Sequence, residues 1–183
     1  RPQVKQPNAA QQDARVLRTN LGRTASTTMQ KGQPLTRPAR IGGHQSALTR
    51  GSAPVNDDCS GAILLSTGST CNPITGDVGG ATQSIAASLC TGSSGTADDD
   101  VWFRFVATGS AMTVQVTGSL SFDAVIDLRS GACNGTNISC MDVTYSGETE
   151  TLNATGLSAG STYYVRVFDW SDGQPATTTY DIC

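Results

Sequence analysis

One histidine, two glutamates and two runs of aspartate are the side chains of this 183-residue chain that could support acid–base or metal chemistry. His44 stands in Gly42-Gly43-His44-Gln45 with no acid within several positions. A hydrolytic triad needs the imidazole held between a nucleophile and an orienting group, and this setting supplies neither. Glu148 and Glu150 are two apart and share one face of a strand, whereas a glycosidase pair needs separation and contrasting environments. They are expected on a solvated strand edge or paired with a neighbour's arginine. Asp98-Asp99-Asp100 and Asp57-Asp58 offer the oxygen ligands that calcium requires, but no EF-hand or glycine-aspartate repeat surrounds them. No cofactor is expected, and calcium is the one ion this chemistry admits. Trp102, Tyr145, Tyr164 and Trp170 are candidates for a sugar-stacking platform, with burial in a core as the competing expectation. Asn134, Asn137 and Asn153 each open an Asn-X-Ser/Thr triplet, the acceptor pattern for N-linked glycan. The chain carries no catalytic constellation, so an enzyme is not expected.

The elements that must carry these residues divide sharply by charge. Residues 1–53 hold nine Lys or Arg against one acid, with no aromatic and no cysteine. Residues 54–183 hold three bases (Arg104, Arg129, Arg166) against fourteen acids, together with all ten aromatics and all six cysteines. The arm is thus +8 and the body −11. Eight large aliphatics in the arm cannot offset roughly 1–2 kcal/mol per residue of backbone entropy, so it should not fold alone. Asn8 and Gln11 form a capping-box pattern ahead of Ala10, Ala14, Leu17 and Leu21, which predicts a short helix near 9–21. The alternation of Leu17, Thr19, Leu21, Ala25, Thr27 and Met29 supports an extended strand instead. Ile41 to Leu48 is a second extended candidate, bounded by Pro34, Pro38 and Pro54.

The body reads as one all-β domain. Apolar or alternating runs at 62–66, 77–84, 101–105, 112–117, 124–128, 138–143, 149–154, 162–170 and 177–182 predict eight or nine short strands joined by Gly-rich turns. No helix interrupts them, so an antiparallel sandwich of the jelly-roll or immunoglobulin-like kind is expected, preceded by an extended arm. Six cysteines at varied spacing predict disulfides and an oxidising compartment; the paired spacing of a zinc site is absent. Fifteen pairings are open. The short segment between Cys133 and Cys140 favours a local bridge, Cys59 with Cys183 would join the first and last strands, and Cys71 with Cys90 then remains. A pI near 4.9 argues against a general nucleic-acid binder. No apolar run is long enough to span a bilayer, and the Arg1 start suggests that a signal peptide has been removed.

Five stretches carry a family resemblance: Pro54-Val55-Asn56-Asp57-Asp58-Cys59, Asp100-Val101-Trp102-Phe103-Arg104-Phe105, Phe122 to Gly131, Leu157 to Val167, and Tyr180-Asp181-Ile182-Cys183. In these the body resembles the β-sandwich domains related to bacterial pre-peptidase C-terminal domains, found in secreted proteins of Bacteroidetes-type bacteria. The resemblance covers most of 54–183 and none of the arm. It implies secretion and an accessory role. Two functions are therefore expected. The first is a structural subunit of an extracellular filament or pilus-like fibre at the cell surface, in which the basic arm, through Leu17, Leu21, Met29, Ile41 and Leu48, docks on a neighbour's acidic sandwich as a donated strand. The alternative is a carbohydrate- or surface-binding accessory module. In both, the partners are copies of the chain or a glycan, with no nucleic acid and no membrane.

Overall fold

Residues 51–90, 92 and 95–183 are described by the computed structural model. The expected helix near 9–21, the extended candidate at 41–48, His44 and the five arm residues named above lie outside them. Among the described residues are nine strands: β1 (Ile63–Leu64), β2 (Ile74–Asp77), β3 (Val101–Val106), β4 (Ala111–Gly118), β5 (Ala124–Ser130), β6 (Asn137–Met141), β7 (Thr149–Thr155), β8 (Thr162–Asp169) and β9 (Thr179–Ile182). They form two sheets, ordered β1-β3-β8-β5-β6 and β2-β9-β4-β7. Every pairing is antiparallel except β1 with β3. The architecture is an antiparallel β-sandwich.

Strand parity builds the core. Val101, Phe103 and Phe105 from β3 and Tyr163, Val165 and Val167 from β8 meet Val114, Val116, Leu152 and Ile182 of the other sheet. Tyr180 joins the layers, stacked on Phe122 with centroids 5.1 Å apart and edge-on to Phe103 at 6.2 Å. Such pairs contribute about 0.5–1.5 kcal/mol beyond the area they bury.

Two strand expectations change. The run 77–84 contributes only Asp77, because the Asp77 carboxylate accepts from Gly79 N at 2.7 Å and Gly80 takes a left-handed φ of 82°, turning the chain. The strand lies earlier, over Ile74–Asp77. Alternation also suggests that β3 is half-buried, yet Trp102 is as buried as its inward neighbours. The segment after β2 folds back over the outer face of the first sheet and covers it. There Trp102 Nε1 donates to Ser84 Oγ at 2.9 Å, and the Arg166 guanidinium lies over Trp102 and Phe168. Arg166 donates through Nε to Asp100 Oδ2 at 2.7 Å and through its terminal nitrogens to the carbonyls of Ile85 and Ala86. Asp127 stands 3.7 Å from the same guanidinium and 2.9 Å from that of Arg129. Two of the three cations of the body are thus spent inside this covered face.

The three disulfides are Cys59–Cys133, Cys71–Cys183 and Cys90–Cys140. None of the expected pairings, Cys59–Cys183, Cys71–Cys90 and Cys133–Cys140, is formed. Register explains the difference. Ile74 pairs with Ile182, which brings Cys71 beside Cys183. Cys140 sits opposite Asp127, rungs back from the hairpin turn that holds Cys133, and packs with Cys90 in the covering segment.

Candidate functional site

The acidic runs do not converge. Asp98 Oδ2 accepts from Gly173 N at 2.9 Å, Asp99 Oδ1 from Asp169 N at 3.0 Å, and Asp100 binds Arg166. Asp57 Oδ1 accepts from Thr82 N at 2.6 Å. Each of these four carboxylates is used as a main-chain or ion-pair anchor. Among the described residues no group of three or more His, Cys, Asp or Glu is arranged to hold a metal ion. Burial pushes Asp99 up to about 8, against the Asp169 backbone bond and with added repulsion from Asp169, Asp98 and Asp100. Burial likewise pushes Asp169 up to about 6.

The glutamates part company. Glu148 is exposed and accepts from Tyr145 N at 3.0 Å. Glu150 is completely buried, in place of the solvated edge expected for it, and its Oε1 accepts from Val143 N, Thr144 N and Thr144 Oγ1 at 2.6, 2.6 and 2.9 Å. It is the anchor of the β6–β7 turn. Of the aromatics proposed as a stacking platform, Trp102 has no exposed surface and Trp170 packs with Phe168 and Cys90, while Tyr164 and Tyr145 lie on separate elements. Among the glycan acceptors, Asn134 is exposed in the β5–β6 turn. Asn137 Nδ2 donates to Asp127 Oδ1 at 2.7 Å, and Asn153 Oδ1 accepts from Thr113 Oγ1 at 2.9 Å.

Asn153 leads to the site that sequence reasoning missed. A cleft of about 730 Å³ opens between the loop 65–72 and strands β4 and β7. Its origin is a mismatch of strand lengths. β4 has eight residues and β9 four, and β9 pairs with β4 only from Val116 to Gly118. One further reciprocal bond pair joins Gln115 N to Cys183 O at 2.8 Å and Cys183 N to Gln115 O at 3.0 Å. That pair aims the main chain of Gln115 away from β7. Antiparallel alternation repeats every two residues, so the N–H and C=O of Thr113 and Ala111 aim the same way, into the cleft. The opposite wall is the loop 65–72, tied in place by Cys71–Cys183.

The lining is chemically uniform. Leu65, Phe105, Met112, Val114 and Ala154 form an apolar floor from the interior side. Ser, Thr, Asn and Gln side chains surround it, and no charged side chain lines the cleft although the body carries fourteen acids. On the outer face the rungs Thr113–Asn153, Gln115–Thr151 and Thr117–Thr149 are hydrogen-bonded across the strands at 2.9, 3.3 and 2.8 Å. The signal in the sequence is the charge-free polar parity of Thr113, Gln115 and Thr117 against Thr151 and Asn153. Uneven strand lengths, which create the cleft, leave no such mark.

Fold and site together define a disulfide-stapled antiparallel β-sandwich module with a cleft lined by uncharged side chains. The chain belongs to the T9SS-associated family described as Galactose binding domain-like, whose sequence model matches residues 55–182. Among solved structures it is similar to the pre-peptidase C-terminal domain of a collagenase from Bacillus anthracis, at 16% identity and a TM-score of 0.41. That match covers 66% of this chain and 90% of the other. No curated protein matches the chain. Among the described residues no helix is long and apolar enough to cross a membrane.

Proposed function

We propose that the chain is a non-catalytic accessory module of a secreted protein and that it holds an uncharged ligand in the cleft between the loop 65–72 and strands β4 and β7. The observation that carries this reading is the absence of charged side chains from the cleft lining in a strongly acidic domain. An ion would meet no charged side chain there, whereas a neutral chain would find hydroxyl, amide and main-chain partners over an apolar floor. The family description supports a binding rather than a catalytic role and makes neutral saccharide one ligand class to test. With Trp102 buried, a saccharide would rely on the Thr, Asn and Gln groups alone.

The test is binding of the full chain to an array of neutral and acidic oligosaccharides and to immobilised copies of itself. Filling the cleft by Ala111→Trp or Asn153→Trp should reduce binding to a neutral probe at least tenfold, while Thr117→Trp, on the same sheet face outside the cleft, should leave it unchanged. Binding confined to acidic probes, or binding that survives both filled variants, would refute the proposal.

A further inference from the structure

The cleft has a property that a simple pocket lacks, because one of its walls is a strand edge. Thr113 and Ala111 present main-chain N–H and C=O groups on the side where β9 stops, and these pair with nothing in β7. A strand running alongside β4 there would continue the sheet and satisfy them. Alternate side chains of that strand would face opposite ways. One set would meet Phe105, Met112 and Val114, and the other would lie level with Thr113 and Asn153. The occupant must therefore be extended, uncharged over several residues, and more apolar on one parity than on the other.

One stretch of the chain has this composition. Thr24-Ala25-Ser26-Thr27-Thr28-Met29-Gln30 is seven residues without charge, Gly or Pro, between Arg23 and Lys31. Ala25, Thr27 and Met29 share one parity and Thr24, Ser26, Thr28 and Gln30 the other. Three threonines favour the pleated conformation. The competing uncharged stretch, Ile41 to Thr49, contains Gly42-Gly43 and His44, which weaken a strand. The bracketing Arg23 and Lys31 would emerge at the cleft mouths over a body of charge −11. Opposite charge would then fix the orientation without burying an ion. The described chain begins beside Gly80, beyond the Asp77 end of β2, whereas the cleft lies at the Ile74 end. The 20 residues between Gln30 and Gly51 can reach the cleft of either molecule, so links confined to one molecule identify docking in cis.

Resting on the cleft reading above, we infer that residues 24–30 of a second copy add as a strand to β4 at Ala111–Val114, making the cleft a self-recognition site. The contact is heterologous, so each copy can give one arm and receive another, and the assembly propagates unless it closes.

The full chain is tested directly. A photo-reactive benzoylphenylalanine replaces Thr27 in an isotopically heavy preparation, which is mixed with light, unlabelled chain and irradiated. Cross-links from heavy residue 27 to light residues 66–72 or 111–115 are expected. Links confined to one molecule, links elsewhere, or no links would overturn the inference. Thr113→Pro deletes the N–H aimed into the cleft while leaving the β7 bonds, and should lower inter-chain links at least tenfold and dissolve oligomers seen by light scattering. Thr113→Val keeps the N–H, so its loss of inter-chain links should be far smaller than that of Thr113→Pro. Unchanged linking in Thr113→Pro counts against the inference. Because that variant could misfold, Asn153→Trp provides a second block and should give the same loss. Neutral saccharide bound in the cleft without any inter-chain link would leave the cleft reading standing and remove this one.

Discussion

Raising the pH from 5 to 8 should destabilise this fold, and the cause is Asp99. Its carboxyl is 1% exposed, with Oδ1 held by Asp169 N and Oδ2 without a hydrogen-bond partner. Burial lifts it from 3.8 to about 8. A group whose folded pKa exceeds its unfolded value keeps its proton longer in the folded state. Stability is therefore greatest below 3.8 and declines as pH climbs through 8. The limiting slope is about 1.4 kcal/mol per pH unit. From pH 5 to 8 the loss approaches roughly 4 kcal/mol, and water penetration into the opened site would reduce it to about half. At about 3–4 °C per kcal/mol for a body of this size, Tm should fall by at least about 5 °C. Asp169, lifted to about 6, adds to the decline only at the lower end of the range. Burial raises Asp100 as well, so its titration adds to the decline in the parent and in any Asp99 variant, while His44 is the only histidine in the chain. Differential scanning calorimetry at pH 5, 6, 7 and 8 reads the slope directly. Asp99→Asn keeps the acceptor for Asp169 N and removes the Asp99 titration, so its Tm should decline less steeply than the parent's and exceed it at pH 8. A parent Tm that rises with pH, or an unchanged slope in Asp99→Asn, would refute the reasoning.

Two further perturbations follow from the packing. Replacing Cys71 and Cys183 by serine opens a cross-link spanning 112 residues, for which chain entropy predicts a loss of roughly 4–5 kcal/mol, readable as a lower urea midpoint at similar m; a loss under about 1 kcal/mol would contradict it. Arg166→Met leaves Asp100 and Asp127 facing each other across a covered sheet face and should cost about 3–5 kcal/mol. Adding Asp100→Asn should recover part of that loss, and strictly additive losses in the double-mutant cycle would show that the two side chains are not coupled.

What could be read from the sequence was whatever one strand records about itself. β4, β7 and β8 carry their inward faces as alternating Val, Leu and Tyr, and those strands fall where parity places them. The outer face of the first sheet is different. Trp102, Arg166 and Asp127 look like solvent-facing residues because each occupies the polar parity of its strand, and only the covering segment after β2 makes them interior. Glu150 is misread for the same reason: its partners are backbone N–H groups of a turn, which have no residue type to recognise. Cysteine pairing depends on register between distant strands, so the short spacing of Cys133 and Cys140 misleads while the Ile74–Ile182 pairing decides. The cleft was hidden more deeply, since it arises from β9 stopping short of β4.

These two kinds of hidden feature bear on function in opposite ways. Most of the acids that looked reactive in the sequence are committed to holding the fold: Asp57, Asp98 and Glu150 are acceptors for main-chain amides, and Asp100, like Asp127, is a partner of a buried guanidinium group. Moving any of them to serve chemistry would expose a buried amide or strand a buried charge, at a cost of about 1–5 kcal/mol each against a total stability of about 5–15 kcal/mol. The cleft is under no such constraint. Its outer-face side chains contribute little to the core, and its main-chain groups at Ala111 and Thr113 face away from the sheet partner they already have. It is a place in the described domain where new contacts can be made without breaking old ones, which is why we propose recognition at the cleft lined by uncharged side chains.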